Sequence, residues 1–437
     1  MSGFVWNRDM EMMPREQVRD LQRSRLREVV TRAWSDSPFY QQHLREHGIG
    51  PDSIVHLDDL RDVPFTVRGD FRDTYPFGML AVPREDLRRV QASSGTRGTL
   101  TIGAYTTHDL EIWAEVCARS LAMGGVLPGD IVQIAFGYGL FTAGLGLHGG
   151  AERLGTTIVP AAAGNTLRQI LLLRDLGARA FCSTPTYALI LSEIMQQEQV
   201  DPRSLNLQRG IFGAEPWTEA MRQDIQERLN ITAVDIYGLT EVIGPGVACE
   251  CVEAQDGMHV AEDHFLVEVV NPTTGENVED GHWGELVFTT LTREAQPVIR
   301  FRTGDISALI DAPCSCGRTH RRIARLRGRI DDMIVLHGVN VYPSEIEEVL
   351  LSHPDVTPFY QIIIDWDGRR ESITVQAELA PDTSEHADPE TIANLELRIA
   401  RAIKTRFDLN MRVALLRTGE LDRADIGNAL RVVDRRE

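Results

Sequence analysis

The sequence predicts an α/β protein in which a large N-terminal domain of mixed α/β sheets and a small β-barrel-like segment, residues 1–329, is followed by a small α+β domain, residues 330–437. Three observations carry this expectation. A chain of 437 residues with 43% apolar content is longer than one core usually organises. Between residues 108 and 183, short β-branched runs alternate with helical patterns, the rhythm of parallel sheet covered by helices. Beyond Gly328-Arg329-Ile330-Asp331-Asp332 the chain starts a new set of strands and helices, so the boundary falls there.

In chain order, residues 10–50 place Val18, Leu21, Leu26, Val29, Val30 and Ala33 at helical spacing, an amphipathic helical region. Pro64-Phe65-Thr66 opens a loop-rich stretch that leads to a strand and then to Gln91-Ala92-Ser93-Ser94-Gly95-Thr96-Arg97-Gly98-Thr99. Gly95 and Gly98 allow backbone amides to approach an anion, and Ser93, Ser94 and Thr96 add hydroxyl donors, so the stretch suits a phosphate cradle. By composition alone such a cluster is more often a plain turn. It is not a Walker A loop, because no GK[ST] follows Gly95 and residues 100–105 read as a strand, not a helix. A helix over 108–123 uses Ile112, Val116 and Leu121 and stops at Gly124-Gly125. Strands over 131–136, 157–160 and Ala180–Ser183 then alternate with helices over 140–154 and Thr166–Leu176. Gly137-Tyr138-Gly139 does not fit the spacing of a dinucleotide fingerprint. The glycines that follow suit close helix packing or the floor of a flat pocket, with Tyr138 and Phe141 as candidate walls.

Two strand exits come next. Gly210-Ile211-Phe212-Gly213-Ala214-Glu215-Pro216 ends a strand in a small-residue turn before a helix over 218–229. Ala233-Val234-Asp235-Ile236-Tyr237-Gly238-Leu239-Thr240-Glu241 runs a second strand into a hydroxyl and a carboxylate. Ligands of open α/β sheets sit at the carboxyl ends of strands, so these exits and the Ser93 loop can share one crevice. Residues 263–270 and Gly284–Thr290 read as antiparallel strands joined through the turn Pro272-Thr273-Thr274-Gly275. Arg300 to Asp305 follows, and Pro313-Cys314-Ser315-Cys316-Gly317 is a tight knuckle. In the tail, a strand over 333–336, a helix over 344–351, strands over 360–364 and 372–378, the helix Pro389–Phe407 and the strand Arg412–Leu416 make an α+β unit.

A net charge of −19 argues against nucleic acid or an anionic membrane as the main partner. The start of the chain has no apolar signal core and no run approaches a membrane span, so the expected location is cytoplasmic. In that setting the six cysteines are not expected to form disulfides. Cys117 and Cys182 sit in apolar surroundings. The rest form two C-x-C pairs, Cys249/Cys251 and Cys314/Cys316, which with His259 leave zinc binding and simple packing both open. Lys404 is the single lysine.

Taken together, the SSGT loop, residues 136–155, 212–222, 235–251, 257–265, 284–305, 314–323 and 328–350 and the closing Arg431-Val432-Val433-Asp434 resemble the adenylate-forming enzymes, in particular the phenylacetate–coenzyme A ligase branch. The resemblance spans nearly the whole chain. It implies a large AMP-binding domain and a small mobile C-terminal domain that rotates between two half-reactions. A carboxylate, here of an aromatic acid, reacts with ATP to give an acyl-adenylate and pyrophosphate, and the acyl group then passes to coenzyme A. Ser93 to Gly98 would hold the phosphates, Thr240 would touch the α-phosphate, and Glu241 would bind Mg2+, a hard cation suited to carboxylate oxygens. Gly213, Ala214 and Glu215, with Asp235, Ile236 and Tyr237 opposite, would enclose adenine. Asp305 would accept from the ribose hydroxyls, Arg329 would face ribose or phosphate, and Asp331 would be the hinge. Tyr138, Phe141, Ile236, Gly238, Ile243 and Pro245 would form the acyl pocket, although each also suits a core. Cys251, His259, Cys314 and Cys316 would bind structural Zn2+, leaving Cys249 packed. A homodimer is also implied.

Two lysines of that family are replaced. Thr99 stands where the cradle lysine belongs, and Asn428 stands where the lysine bridging carboxylate and α-phosphate belongs. Arg97, Arg423, Arg431 and, remotely, Lys404 are the candidate substitutes. Three readings follow: an aryl-acid coenzyme A ligase with its positive charge relocated; an adenylating ligase that delivers to a small amine or hydroxyl acceptor; and a non-catalytic binding protein of the same fold. Intact Ser93, Glu241 and Asp305 argue against the last.

Overall fold

The computed structural model describes residues 3–93, 100–330, 333–336, 339–366, 371–421 and 431–435. Ser94, Gly95, Thr96, Gly98, Thr99, Asp331 and Asn428 lie outside the described residues. By internal contacts the chain divides into two units. The first comprises Met1–Thr184, Leu191–Ala214 and Arg228–Arg325, and the second Pro185–Ile190, Glu215–Glu227 and Leu326–Glu437.

The first unit is built on a mixed nine-stranded sheet. Its parallel half runs from Thr157–Val159 through Ile131–Ile134, Ala180–Ser183 and Arg209–Gly213 to Thr232–Leu239. Direction then reverses. Gly244–Cys249, Met258–Val260, Arg322–Ile323 and Leu309–Ile310 continue the sheet antiparallel. Ala180–Ser183 is buried at every position, the mark of a strand covered on both faces. The helices Thr107–Met123 and Thr142–Leu154 lie against each other and place Leu121 and Leu147 in one cluster with Val132, Ile134, Ile211 and Val234. Their close approach depends on missing side chains. A Cβ at Gly146 would come within 2.5 Å of the Trp113 ring, and one at Gly150 within 2.3 Å of Cys117. The helix Thr107–Met123 starts at a capping box, in which the Thr106 hydroxyl accepts from the Asp109 amide and the Asp109 carboxylate accepts from the Thr106 amide.

Phe265–Val270, Gly284–Thr290 and Phe301–Ser307 form the anticipated antiparallel segment, almost wholly buried. Ahead of the parallel strands, Arg89–Ser93 and Thr101–Tyr105 make a hairpin in which Ser93 pairs with Thr101. Ser93, the first hydroxyl residue of the cradle sequence, ends the first of these strands. The N-terminal helix Arg15–Asp36 buries Val18, Leu26, Val29, Val30 and Ala33 as the pattern required, with one exchange. Gln22 is buried where Leu21 was expected, because its side-chain amide donates to the Glu262 carbonyl at 2.8 Å.

Several elements depart from the sequence expectation. The helix Pro185–Gln197 was not anticipated; Pro185 stands at its first position, where the missing N–H costs nothing, but a proline met in sequence after a strand reads as a break. Gly244–Cys249 begins Gly-Pro-Gly, which reads as a turn. It is nevertheless a strand, since Gly244 (φ 116) and Gly246 (φ 100) sit where a Cβ would strike Trp113 and Cys117.

In the second unit, Arg412–Leu416, Glu371–Leu379, Val356–Trp366 and Val432–Arg435 form a four-stranded sheet in that order. The helices Pro343–Leu351 and Pro389–Phe407 supply its core, the latter through Leu395, Ile399 and Ile403 at four-residue spacing. Asp388 caps that helix by accepting from the Thr391 amide at 2.7 Å. A buried carboxylate, Glu347, accepts from Arg431 and from the Thr218 hydroxyl, and Arg431 also reaches the Tyr360 hydroxyl. Burial pushes Glu347 up, and Arg431 opposes that shift. Among the described residues no helix is long and apolar enough to cross a membrane.

Candidate functional site

The site forms where the sheet changes from parallel to antiparallel. There the strands Thr232–Leu239 and Gly244–Cys249 join through a bulged hairpin whose loop holds Thr240 and Glu241. The bulge brings backbone against backbone: a Cβ on Gly238 would lie 1.9 Å from the Gly244 carbonyl oxygen. On the next parallel strand, a Cβ on Gly213 would lie 2.2 Å from the Ile236 carbonyl oxygen, and Ala214 follows with φ at 72. Both exits are therefore made of small residues because the chain runs too close there for larger ones.

Five side chains or backbone groups connect across this edge. The Tyr237 hydroxyl donates to Asp305 at 2.7 Å, and both residues are buried. The Asp305 amide donates to the Thr303 hydroxyl at 2.9 Å, while the Thr303 carbonyl accepts from Arg68 at 3.1 Å. The Arg68 guanidinium lies 3.6 Å from a Glu241 carboxylate oxygen. Burial pushes the Glu241 carboxyl up, and Arg68 and Arg293 pull it back. Burial and the Asp305 carboxylate together push the Tyr237 phenol up, so it remains a donor. Asp235 is held by its backbone, its amide donating to Glu250 at 2.8 Å.

The cradle hairpin lies against the same edge. A Cβ at Gly103, on the strand Thr101–Tyr105, would come within 3.2 Å of the Thr240 methyl. The Gln91 side chain donates to the Phe141 carbonyl at 3.0 Å, and the Ala92 amide donates to the Leu140 carbonyl at 2.8 Å. The loop carrying Tyr138 and Phe141 is thereby tied to the strand that ends at Ser93. Tyr138 is half-buried with its hydroxyl 3.3 Å from His148 Nδ1 and the two rings edge-on, whereas Phe141 is 41% exposed. Ile243, in the turn, is buried, and Pro245, in the strand that follows, is partly buried.

Ser93, Tyr138, Phe141, Gly213, Ala214, Asp235, Ile236, Tyr237, Gly238, Thr240, Glu241, Ile243, Pro245 and Asp305 thus belong to one unit. Glu215 and Arg329 belong to the other, where Glu215 accepts from the Thr186 amide at 2.7 Å. Arg68 was missed by the sequence reading. It lies in the loop-rich stretch after Pro64, and nothing in its neighbours marks an arginine that meets a carboxylate far along the chain.

The four candidate zinc ligands also converge. One ligand atom each from Cys251, His259, Cys314 and Cys316 fall within 4.8 Å of one another. His259 Nδ1 faces the His320 carbonyl at 3.1 Å, which turns Nε2 toward the Cys316 sulfur at 3.4 Å. That ring orientation is the usual one for a metal-binding histidine. The hydrogen bond between Cys251 and Cys316 holds the Cys316 thiol well below its ordinary value and pushes Cys251 up. Burial alone would lower His259, but the two neighbouring sulfurs of Cys314 and Cys316 hold it at about 9. Three sulfurs and one nitrogen at this separation fit a closed tetrahedral zinc site. Cys249 stays apart, buried with its thiol against the Ser120 carbonyl.

Comparison with known proteins agrees with this geometry. The AMP-binding enzyme family matches residues 80–291, and the AMP-binding enzyme C-terminal domain matches residues 338–436. A phenylacetate-coenzyme A ligase of Thermus thermophilus is 46% identical, covering 99% of this chain and 100% of its own length. The phenylacetate-coenzyme A ligase of Escherichia coli is 43% identical over 96% and 95% of the two chains. Among solved structures, 2-hydroxyisobutyryl-CoA ligase in the postadenylation state, in complex with R3-HIB-AMP, superposes with a TM-score of 0.92 at 27% identity, covering 98% of this chain and 92% of its own. The chain accordingly belongs to the phenylacetate–coenzyme A ligase branch of the AMP-binding, adenylate-forming enzymes.

Proposed function

We propose that this protein activates an aromatic carboxylic acid of the phenylacetate class with ATP and transfers the acyl group to coenzyme A. The observation that carries this is the connected set of buried Tyr237, Asp305, Thr303 and Glu241 with the partly exposed Arg68 at the sheet's switch point, beside the strand that ends at Ser93. Full-length likeness to phenylacetate-coenzyme A ligases supports the acid and the acceptor, and nothing favours an amine or hydroxyl acceptor or a non-catalytic role.

In the first half-reaction a carboxylate oxygen of the acid attacks the α-phosphorus of ATP, the bond to the β-phosphate oxygen breaks, and pyrophosphate leaves. In the second, the thiolate of coenzyme A attacks the acyl carbon and AMP leaves. The protein's task is alignment and charge neutralisation. Asp305, already an acceptor for Tyr237, receives the ribose hydroxyls. Ser93 to Gly98 bind the phosphates, and Thr240 contacts the α-phosphate. Gly213, Ala214, Asp235, Ile236 and Tyr237 flank adenine, joined by Glu215. By resemblance to the family, Arg329 is assigned to ribose or phosphate and Asp331 to the hinge. Tyr138, Phe141, Gly238, Ile243 and Pro245 bound the aryl group. Glu241 would hold Mg2+, which neutralises phosphate charge when bound. Where Thr99 and Asn428 leave no lysine, Arg68 supplies positive charge beside Glu241. Zn2+ in the Cys251, His259, Cys314 and Cys316 site would cross-link the knuckle to the sheet and contribute to folding. A domain boundary near residue 329, a homodimer and a cytoplasmic location complete the reading.

ATP–pyrophosphate exchange with a panel of benzoates and arylacetates tests it. The reading expects exchange dependent on an arylacetate or related aromatic acid. Absence of exchange with every acid would reject it.

A further inference from the structure

The segment from Thr240 to Gly246, a turn and the start of the strand Gly244–Cys249, carries Glu241 and, just beyond it, Ile243 and Pro245, so one short segment serves both the proposed metal and acyl sites. Four of its carbonyl oxygens are taken by buried side chains from elsewhere in the unit, three of which are aromatic or guanidinium donors, with the Cys117 thiol also meeting the Pro245 carbonyl at 3.2 Å. Arg293 Nη1 donates to the Glu241 and Val242 carbonyls, each at 2.7 Å. The Tyr105 hydroxyl donates to the Ile243 carbonyl at 2.9 Å, and Trp113 Nε1 donates to the Pro245 carbonyl at 3.0 Å. The three donors form one stack. The Arg293 guanidinium lies 5.0 Å from the Tyr105 ring centroid, and the Tyr105 and Trp113 rings are 4.8 Å apart at 15°.

The stack is itself fixed. The Trp113 ring leaves no room for a Cβ at Gly146, at 2.5 Å, or at Gly244, at 2.4 Å. Asp109, which caps the helix carrying Trp113, also accepts from the amides of Glu294 and Ala295 and so ties down the residues next to Arg293. Packing alone would be met by phenylalanine or methionine at these positions. Donors aimed at consecutive carbonyls of one loop are an added feature, and side chains locked on rigid elements are what hold a site to sub-ångström tolerance.

We propose that Arg293, Tyr105 and Trp113 act as a clamp of positioning residues that sets the Glu241 carboxylate and the acyl-pocket residues Ile243 and Pro245 in register with each other. This rests on the reading of Glu241 as metal ligand and of Ile243 and Pro245 as pocket. The test uses the full-length enzyme and the variants Arg293→Gln, Arg293→Lys, Tyr105→Phe and Trp113→Phe. Two readouts are taken: pyrophosphate exchange as a function of Mg2+ and of phenylacetate, and amide hydrogen exchange of peptides covering residues 240–246. Arg293→Gln should lower kcat about 10–100-fold and raise the Mg2+ needed for half-maximal rate, with partial recovery in Arg293→Lys. Tyr105→Phe keeps its ring, Trp113→Phe keeps an aromatic ring but not the indole, and both remove the donor and should raise KM for phenylacetate about 3–10-fold. All but Arg293→Lys should exchange amides faster within 240–246 than wild type. Unchanged kinetics and unchanged local exchange, with only a lower unfolding temperature, would reduce the stack to packing and overturn the proposal. Should Arg293→Gln not fold, the two phenylalanine variants decide by the same criteria. A wild type inactive with every acid would reject the functional reading, whereas local amide exchange still decides whether the loop is clamped.

Discussion

Replacing Arg68 with methionine removes the cation that faces the Glu241 carboxylate while keeping most of the side-chain volume. Two unit charges at the observed 3.6 Å interact by about 4–5 kcal/mol at an effective dielectric of about 20. Water partly screens this pair, since the Arg68 side chain is 28% exposed. A net loss of ~3 kcal/mol, or 10²–10³ in rate, is the order seen when one preorganised charge leaves a transition state. Acid-dependent pyrophosphate exchange at saturating Mg2+ measures it. The pH profile supplies an independent signature. Burial raises the Glu241 carboxyl and Arg68 lowers it, and the working form is the carboxylate. Activity is therefore lost as pH falls through the Glu241 pKa, and without Arg68 that loss should begin at higher pH. Exchange within about threefold of wild type, with an unmoved acid limb, would refute the assignment of the missing lysine charge to Arg68.

Asp305→Asn should raise KM for ATP about 10–100-fold, measured by exchange kinetics, because the buried acceptor facing Tyr237 becomes a mixed donor and acceptor. Elemental analysis should find one zinc per chain, and Cys316→Ser should abolish it and lower the unfolding temperature. Burial alone would raise the Glu115 carboxyl, but Asn7, Arg119, Trp6 and Arg153 hold it at about 2. A folded pKa below the unfolded value means that its stabilisation, about 2–3 kcal/mol, is present above about pH 4.5 and is lost as pH falls toward 2. Urea unfolding of Glu115→Gln should show that deficit at pH 7 and little of it at pH 2.5.

The parallel half of the fold was legible because helical and strand periods differ sharply between residues 108 and 183, and because glycine turns mark the exits at Gly213 and Gly238. The zinc ligands were named only through resemblance. Their spacing is loose for a finger, and the His320 carbonyl that orients His259 has no signature in the sequence. The strand Gly244–Cys249 was hidden because its Gly-Pro-Gly start reads as a turn, and only contacts far along the chain, Trp113 at Gly244 and Cys117 at Gly246, explain those glycines. Arg68 and Arg293 escaped for a different reason. Each acts on Glu241 or its backbone across long sequence separation, and a long-range ion pair or carbonyl contact leaves no local pattern to read.

The central claim is coupled adenylation and thioester formation, and the stoichiometry of products with phenylacetate, ATP, Mg2+ and coenzyme A tests it most directly. The account predicts one phenylacetyl-coenzyme A, one AMP and one pyrophosphate per acid consumed. AMP and pyrophosphate without thioester, or ADP in place of AMP, would contradict it.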